Sequence, residues 1–552
     1  MHVPGSQGAD DVFCGNTRGD GGAQLVLPET LTLSTAADTM KKELRDEIKK
    51  LCRKAFDKQK SENATVEKYK TKFTKRTGVA AADGWPKGPT YSHRHFDPTH
   101  CIKNANVQAK AIWASVLAGT YEPTPAVRYT IPKPTGGFRE IMAFSIPDTA
   151  LANILFRAAR DRNRKRMSPF SYAYQPDRNV FDAIIALGQY RPDGKLIAVQ
   201  IDFEKYFDSI PRNYLEKLID DEGTVSLTPH ERFVFKKFLR HKFGGSVDFW
   251  SNNFQKRHRG TPQGNSLSLF LANLANDPLD KKLSRQAGRF VRFADDVVAF
   301  CDRHEDAELI SHRFEEHCES SGLRINRAKS PGIAAVSIHK QEIRTISEFK
   351  YLGYSLSGEG LKMPAEKVRQ YQKKFSRLTH IYLIQPLNFG FRSDRSSAVG
   401  GFDWELLGLI SEIRRSIYGG LDERDIQQFI WHGRRLKRMQ GLMGFYCILE
   451  DCRRLRILDG WMVNHIRRAM VLRNKILAQR YGASCPTPTN SQLISGSWLN
   501  LAAWNGSPDE VEAGLPSFVR GWRAARKHYL TFGLEDVQPP EYGGDSSLNF
   551  VI

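Results

Sequence analysis

Residues Phe290–Phe300 read FVRFADDVVAF, two apolar runs that enclose a pair of adjacent aspartates. Phe290 to Phe293 and Val297 to Phe300 are both strand-like, and a turn near Ala294-Asp295 joins them into a hairpin. An Asp pair in a tight turn is ordinarily solvated, and an Asp that ends a strand is ordinarily a helix cap. Apolar strands on both sides change that reading, because two neighbouring charges at the edge of a core repel strongly unless a cation neutralises them. A second short β-rich run, Lys195 to Asp202, ends in Val199-Gln200-Ile201-Asp202-Phe203. Asp202, Asp295 and Asp296 converging from adjacent strands would form a hard-oxygen site suited to two Mg²⁺ ions, with Mn²⁺ as a substitute.

Outward from this hairpin the text alternates between strand and helix. Val127, Tyr129 and Ile131 alternate, Pro134-Thr135-Gly136-Gly137 is a turn, and Phe138, Ile141 and Phe144 continue the apolar side, a second hairpin between Ala126 and Ser145. Helical text runs from Asp148 to Arg162 and from Asn213 onward, and the last strand-like piece is Phe349 to Leu356. The spacing is not the repeated βαβ of a doubly wound sheet, so the fold class predicted is α+β. Near the start, Thr35 to Phe56 carries Leu44, Ile48 and Leu51 on one helical side, followed by a basic stretch, Lys68 to Lys75, and a Gly/Pro-rich link around Gly84 to Pro89.

At 552 residues the chain is long enough for roughly three or four units. Its formal net charge of +21 points to a polyanionic partner, nucleic acid before all others. No run of about 18 apolar residues could span a bilayer, so no membrane partner is expected. The eight cysteines are scattered without a Cys-x-x-Cys pair, which fits a reduced, cytoplasmic setting and speaks against a disulfide framework or zinc ribbon. Between 411 and 480, 15 Lys/Arg face 7 Asp/Glu, so the helical region after about 361 is itself basic. The last 22 residues hold four acidic residues and no Lys or Arg, and read as a tail.

Asp202–Pro211 (DFEKYFDSIP), Gly260–Ser268 (GTPQGNSLS), Phe293–Asp296 (FADD), Leu323–Ser330 (LRINRAKS) and Phe349–Tyr354 (FKYLGY) occur in that order. Their order and spacing resemble the palm motifs of reverse transcriptases, above all the bacterial group II intron lineage and its relatives. Arg128–Glu140 (RYTIPKPTGGFRE) and Ser171–Asn179 (SYAYQPDRN) are similar to that family's fingers motifs, so the likeness spans about residues 120 to 356. The resemblance implies a right-hand polymerase: a flexible tail (1–35), a helical extension (36–120), fingers (121–195), a palm with an antiparallel sheet (196–360), a helical thumb and C-terminal region (361–530) and an acidic tail (531–552).

The same resemblance implies roles for single residues. Asp202, Asp295 and Asp296 would ligate the metals, with the Phe203 carbonyl completing one shell. Phe207, a core aromatic when read alone, would lie under the sugar of the incoming deoxynucleoside triphosphate and exclude a 2′-hydroxyl. Gln263 and Gly264 would line the nucleotide pocket. Lys133 and Arg139, ordinary solvated charges when read alone, would neutralise the triphosphate. Lys329 would be a catalytic acid near the leaving pyrophosphate, if it is not a simple surface lysine. Tyr351, Leu352 and Gly353 resemble the primer grip. Gly444–Leu477 is similar to the thumb or maturase region, where Arg453, Arg454, Arg456, Arg467, Arg468 and Arg473 would track the phosphates of primer-template or RNA.

Three departures shape the biological role expected. Phe293 stands where the family usually has Tyr, Asn265 where group II intron proteins commonly have Gly, and about 380 to 435 looks like added helical material. The sequence also holds no Cys/His-rich nuclease module at its C-terminus. These features are similar to the bacterial defence-associated reverse transcriptases, several of which work with a dedicated non-coding RNA. The resemblance thus implies an RNA template, a DNA product and that RNA partner, and leaves a homo-oligomer open. A group II intron maturase and an RNA-dependent RNA polymerase are the alternatives, and Phe207 speaks against the latter.

Overall fold

A computed structural model of the chain describes residues 29–82, 91–133, 136–190, 196–285, 289–337, 344–397, 402–436, 438–500 and 511–537. The Gly/Pro-rich link, Pro134-Thr135, Lys195, Cys14 and the tails before 29 and after 537 lie outside those residues.

Strands β1 (Ala126–Pro132) and β2 (Phe138–Ala143) form the expected first hairpin, with Tyr129 opposite Ile141. Strand β3 is Ile197–Ile201, β4 is Lys242–Gly244 and β5 is Gln255–Lys256. The first sheet has the order β2-β1-β4-β5, so it joins the fingers hairpin to strands from within 196–360. The expected second hairpin is β6 (Arg289–Phe293) and β7 (Asp296–Cys301), followed by β8 (Gly332–Val336) and β9 (Thr345–Ile346). The central sheet runs β6-β7-β3-β8-β9. It is antiparallel as expected except at its edge, where β9 lies parallel to β8.

Alternation along the central strands explains where this sheet sits. Ile197, Val199, Ile201, Val297, Ala299 and Cys301 face one core, shared with the N-terminal helices and the helices Ile146–Asn163 and Ser266–Leu283. Ala198, Val298, Phe300, Val291 and Phe293 face a second core, shared with the helical C-terminal half. Burial on both faces accounts for the near-continuous apolar text of β7.

The structure alters three expectations. The first helix is not confined to Thr35–Phe56; it runs from Glu29 to Thr77, through the basic stretch and through part of the expected tail. Leu44, Ile48 and Cys52 enter the first core, and buried Glu47 accepts from Asn153 Nδ2 (3.1 Å) and Arg157 Nη2 (3.2 Å). Its last turns belong elsewhere: Lys72 pairs with Glu412, Arg76 lies over the Tyr382 ring at 4.6 Å, and Phe73 meets Phe389 edge-on at 5.4 Å.

Second, Phe349–Leu356 is not one strand. Positive φ at Leu352 (47°) and Gly353 (82°) folds it into β10 (Phe349–Tyr351) and β11 (Tyr354–Ser357), with β12 (Gly360–Lys362) beside them. Two consecutive residues at positive φ suit a tight hairpin turn, and the apolar residues on both sides hid it. Third, the acidic end is docked up to Val537: Met439 N–H donates to Asp536 O at 2.8 Å, and Arg435 pairs with Glu535 (2.6 Å) and Asp536 (2.9 Å). Among the described residues no helix is long and apolar enough to cross a membrane.

Candidate active site

The register of the central sheet assembles the site. Ile201, the last residue of β3, is paired with Val297, so Asp202 emerges beside the start of β7, where Asp296 stands. Phe293 pairs with Asp296 across the hairpin, which leaves Ala294 and Asp295 as a two-residue turn. Ala294 adopts φ 61°, a conformation costing an L-residue about 1–2 kcal/mol.

A buried network beneath the turn holds it. Arg292, 1% exposed, donates from Nη1 to Ala294 O and to Asn273 Oδ1, both at 2.9 Å. Its Nη2 lies 2.6 Å from Asp280, which is fully buried. Asn273 Nδ2 donates to Ala173 O at 2.9 Å, linking the turn to the fingers segment 171–179. Sequence reasoning missed Arg292, Asp280 and Asn273. The available signal was an arginine inside an apolar strand that also faces core.

Burial raises the pKa of all three aspartates. Asp296 is pushed up to about 7 by burial and by the charges of Asp295 and Asp202, against a hydrogen bond from Gln200 Nε2 at 3.2 Å. Asp295 is raised by burial and by Asp202. Asp202 is raised by burial, offset in part by Lys329, whose Nζ stands 3.8 Å away, and by Asn326 Nδ2 at 3.4 Å. Lys329, its side chain 73% exposed, is thus brought to the site. Among the described residues no three His, Cys, Asp or Glu side chains are gathered closely enough to hold an ion. The donor set nonetheless fits a hard divalent cation: the carboxylates are desolvated, and Asp295 and Asp296 are raised further by the neighbouring negative charge. Phe203 bridges Ile325 while Asn326 N–H donates to Asp202 O and Glu204 N–H to Arg324 O. In such an antiparallel pair the N–H and C=O of the central residue point away from the partner segment.

The segment 260–264 is locked against Phe207. Thr261 N–H donates to Phe207 O at 2.7 Å, and a Cβ on Gly260 would come within 2.4 Å of that oxygen. Gln263 O accepts from Met142 N–H at 2.7 Å, and its Nε2 donates to Asp208 Oδ2 at 3.1 Å. Gly264 has φ 116° and lies so close to Met142 O that a side chain would collide at 2.5 Å. Two nucleotide-pocket candidates, Gln263 and Gly264, therefore touch the fingers hairpin. Arg139 is exposed on β2, yet its charge is felt at Asp295; Lys133 is exposed at the hairpin tip.

Tyr351 Oη donates to Asp296 O at 3.2 Å, so the β10–β11 turn reaches the carboxylate hairpin. From the other side Phe445 packs 3.1 Å from where a Gly353 Cβ would be, and Tyr446 Oη donates to Gly353 O at 3.2 Å. The arginines of the helix Arg453–Tyr481 divide. Arg456, Arg467 and Arg468 are exposed. Arg453 is exposed but paired with Asp451 and Glu359, and Arg454 turns inward to Glu348 (2.5 Å) and Met363 O (2.6 Å). Arg473 does not reach a nucleic-acid surface: it is 3% exposed and buried against Asp403, with Nη2 donating to Ser396 Oγ at 2.7 Å.

Residues 131–356, a span that contains the palm motifs and most of the fingers hairpin, match the family "Reverse transcriptase (RNA-dependent DNA polymerase)". They form a reverse transcriptase domain. The chain is 29% identical over 167 residues to the COX1/OXI3 intron 2 protein of Saccharomyces cerevisiae, covering 30% of this chain and 18% of that one. It is 26% identical over 213 residues to the group II intron-encoded protein LtrA of Lactococcus lactis, covering 38% and 34%. The chain spans less than half the length of these curated relatives. Among solved structures, apo telomerase from Candida tropicalis aligns at 15% identity and a TM-score of 0.32, covering 48% of this chain and 60% of that one. The reverse transcriptase domain holds the three aspartates, the nucleotide-pocket candidates and the Tyr351–Gly353 turn. The helix Glu29–Thr77 and the arginine-bearing helix lie outside it.

Proposed function

We propose that the chain is an RNA-directed DNA polymerase that extends a DNA strand from deoxynucleoside triphosphates. The observation that carries this reading is the placing of Asp202, Asp295 and Asp296 at one edge of the central sheet, where burial raises the pKa of all three and the charge of Asp202 adds to the rise at Asp295 and Asp296. Asp202, Asp295, Asp296 and the Phe203 carbonyl would hold two Mg²⁺ ions, or Mn²⁺. When bound, the ions supply activation of the 3′-hydroxyl and neutralisation of the triphosphate. The protein's own part is positioning. Arg292 fixes the turn that carries Asp295, Gln263 and Gly264 hold the pocket against β2, and Phe207 blocks a 2′-hydroxyl. Arg139 and Lys133 add positive charge toward the triphosphate, and Lys329 donates a proton to the leaving pyrophosphate. Tyr351, Leu352 and Gly353 position the primer end, while Arg456, Arg467 and Arg468 contact backbone phosphates.

The test is deoxynucleotide incorporation on a primed RNA template with Mg²⁺. The Asp295→Ala/Asp296→Ala protein should fold and lose incorporation. Wild-type rates in that double mutant would sink the reading.

The finer role, antiphage defence in the cytoplasm with a dedicated non-coding RNA, rests on the sequence departures; unpaired cysteines support a reducing compartment. The names of the intron-encoded relatives favour a second role, as a maturase that binds intron RNA. Sequencing the nucleic acid that copurifies with the protein separates the two: one recurrent short RNA for the first, a structured intron for the second.

A further inference from the structure

The protein has an open cleft of about 740 Å³, lined by Arg212, Glu216, Arg240, His258 and Arg259 among others and by none of the three aspartates. Three arginines and a histidine there face a single carboxylate. That carboxylate is taken, since Arg240 grips Glu216 from Nε (2.8 Å) and Nη2 (2.9 Å). The other two guanidinium groups rest on neutral carbonyls. Arg259 donates from Nε to Ser209 O (2.7 Å) and from Nη2 to Gly322 O (3.3 Å), and Arg212 donates to the carbonyl of Arg257. Glu216 favours the charge on Arg212, but burial together with Arg240 and Arg257 outweighs it and lowers the Arg212 pKa. The cluster therefore carries positive charge that the protein leaves uncompensated.

The cleft shares a wall with the nucleotide pocket. Asp208 accepts from Gln263 Nε2 on one oxygen and from Arg257 Nη2 (3.0 Å) on the other, and the Arg257 carbonyl holds Arg212. We propose that this cleft is a second anion site, one that takes a phosphate-bearing ligand. Guanidinium forks match tetrahedral phosphate oxygens, and the volume suits several phosphates better than a lone ion. Two sources present that chemistry: a free oligophosphate, such as pyrophosphate or a nucleoside triphosphate, and the backbone of a nucleic-acid strand that passes beside the pocket.

Thermal unfolding of the full chain in EDTA tests the site without calling on metal-dependent binding, so it can fail while the polymerase reading stands. The probes are inorganic tripolyphosphate and a thymidine oligonucleotide. A ligand that binds only the folded state raises Tm with concentration. Tripolyphosphate should stabilise the wild type and a K133Q/R139Q protein alike. The R212Q/R240Q protein should show apparent affinity about tenfold or more lower, as charge-assisted bonds are lost. The single substitutions R212Q and H258Q give an independent reading should the double variant not fold, each expected to weaken the response. Stabilisation by the oligonucleotide alone, lost in the same variants, assigns the ligand to a nucleic-acid backbone. A response that survives R212Q/R240Q, one that disappears in K133Q/R139Q instead, or no response to either probe overturns the proposal.

Discussion

Phe207 is fixed by its backbone more than by its ring. Its carbonyl is clamped by Thr261, while the half-buried ring meets Tyr206 edge-on at 5.7 Å. Shortening the side chain should therefore open space without moving the segment. Phe207→Val is expected to raise the ratio of ribonucleotide to deoxynucleotide incorporation at least roughly tenfold, the scale on which small steric changes discriminate substrates. Single-nucleotide extension assays measure that ratio, and an unchanged value would make Phe207 a packing residue only. His241 offers a prediction of another kind. It is 2% exposed, beside the Phe144 ring, and burial lowers its pKa to about 4. Folded, the imidazole stays neutral; unfolded, it takes a proton near pH 6.5. Stability is accordingly full above pH 6.5 and falls as pH drops toward 4, by an amount of the order of 3 kcal/mol. His95 and His317, whose pKa burial also lowers to about 4, add shares of their own, so His241→Phe should remove only the His241 share and its urea midpoint should change less than the wild type's between pH 7.5 and 5. Equal losses in the two proteins would rule His241 out as the cause.

At the scale of elements, the β6–β7 hairpin acts as a unit with the pair beneath it. Removing only Arg292 leaves Asp280 as an unpaired buried charge, a loss of about 3–5 kcal/mol. Replacing both in Arg292→Met/Asp280→Leu should restore much of the stability, because two apolar side chains of similar size replace two charges. Activity should not return, since Ala294 O still lacks its donor and the turn at φ 61° is no longer held. Full polymerase activity in the stable double mutant would show that Arg292 serves folding alone. The hairpin itself was legible because two apolar runs flank a turn, and the placing of three aspartates at one sheet edge because a second carboxylate ends the neighbouring strand. The supporting network was not legible: a strand pattern says which face a side chain takes, not that Asp280, twelve residues earlier on a helix, waits there. For the same reason the inward turn of Arg454 and Arg473 was hidden, since their partners Glu348, Asp403 and Ser396 are distant in sequence. The β10–β11 turn escaped because its positive φ falls partly on a leucine.

In the whole molecule two cores meet across one sheet, and the helix Glu29–Thr77 touches both. At 1.5 Å per residue its 49 residues extend for about 73 Å, long enough to connect the fingers side to the helical half. Its two ends should be independently stable. In the full chain, Lys72→Ala/Phe73→Ala/Arg76→Ala is expected to speed hydrogen exchange over residues 68–77 and leave 44–52 protected by the first core. Unchanged exchange near 72 would mean that the last turns hold without their partners. There is also a matter of timing. Lys72 leaves the ribosome 340 residues before Glu412. At about 5–20 residues per second, that is roughly 17–70 s of synthesis. For that interval the basic end of the helix is finished but has nothing to dock against, in a cell full of RNA. The nascent chain thus presents a cationic segment to polyanions well before the proposed polymerase site exists.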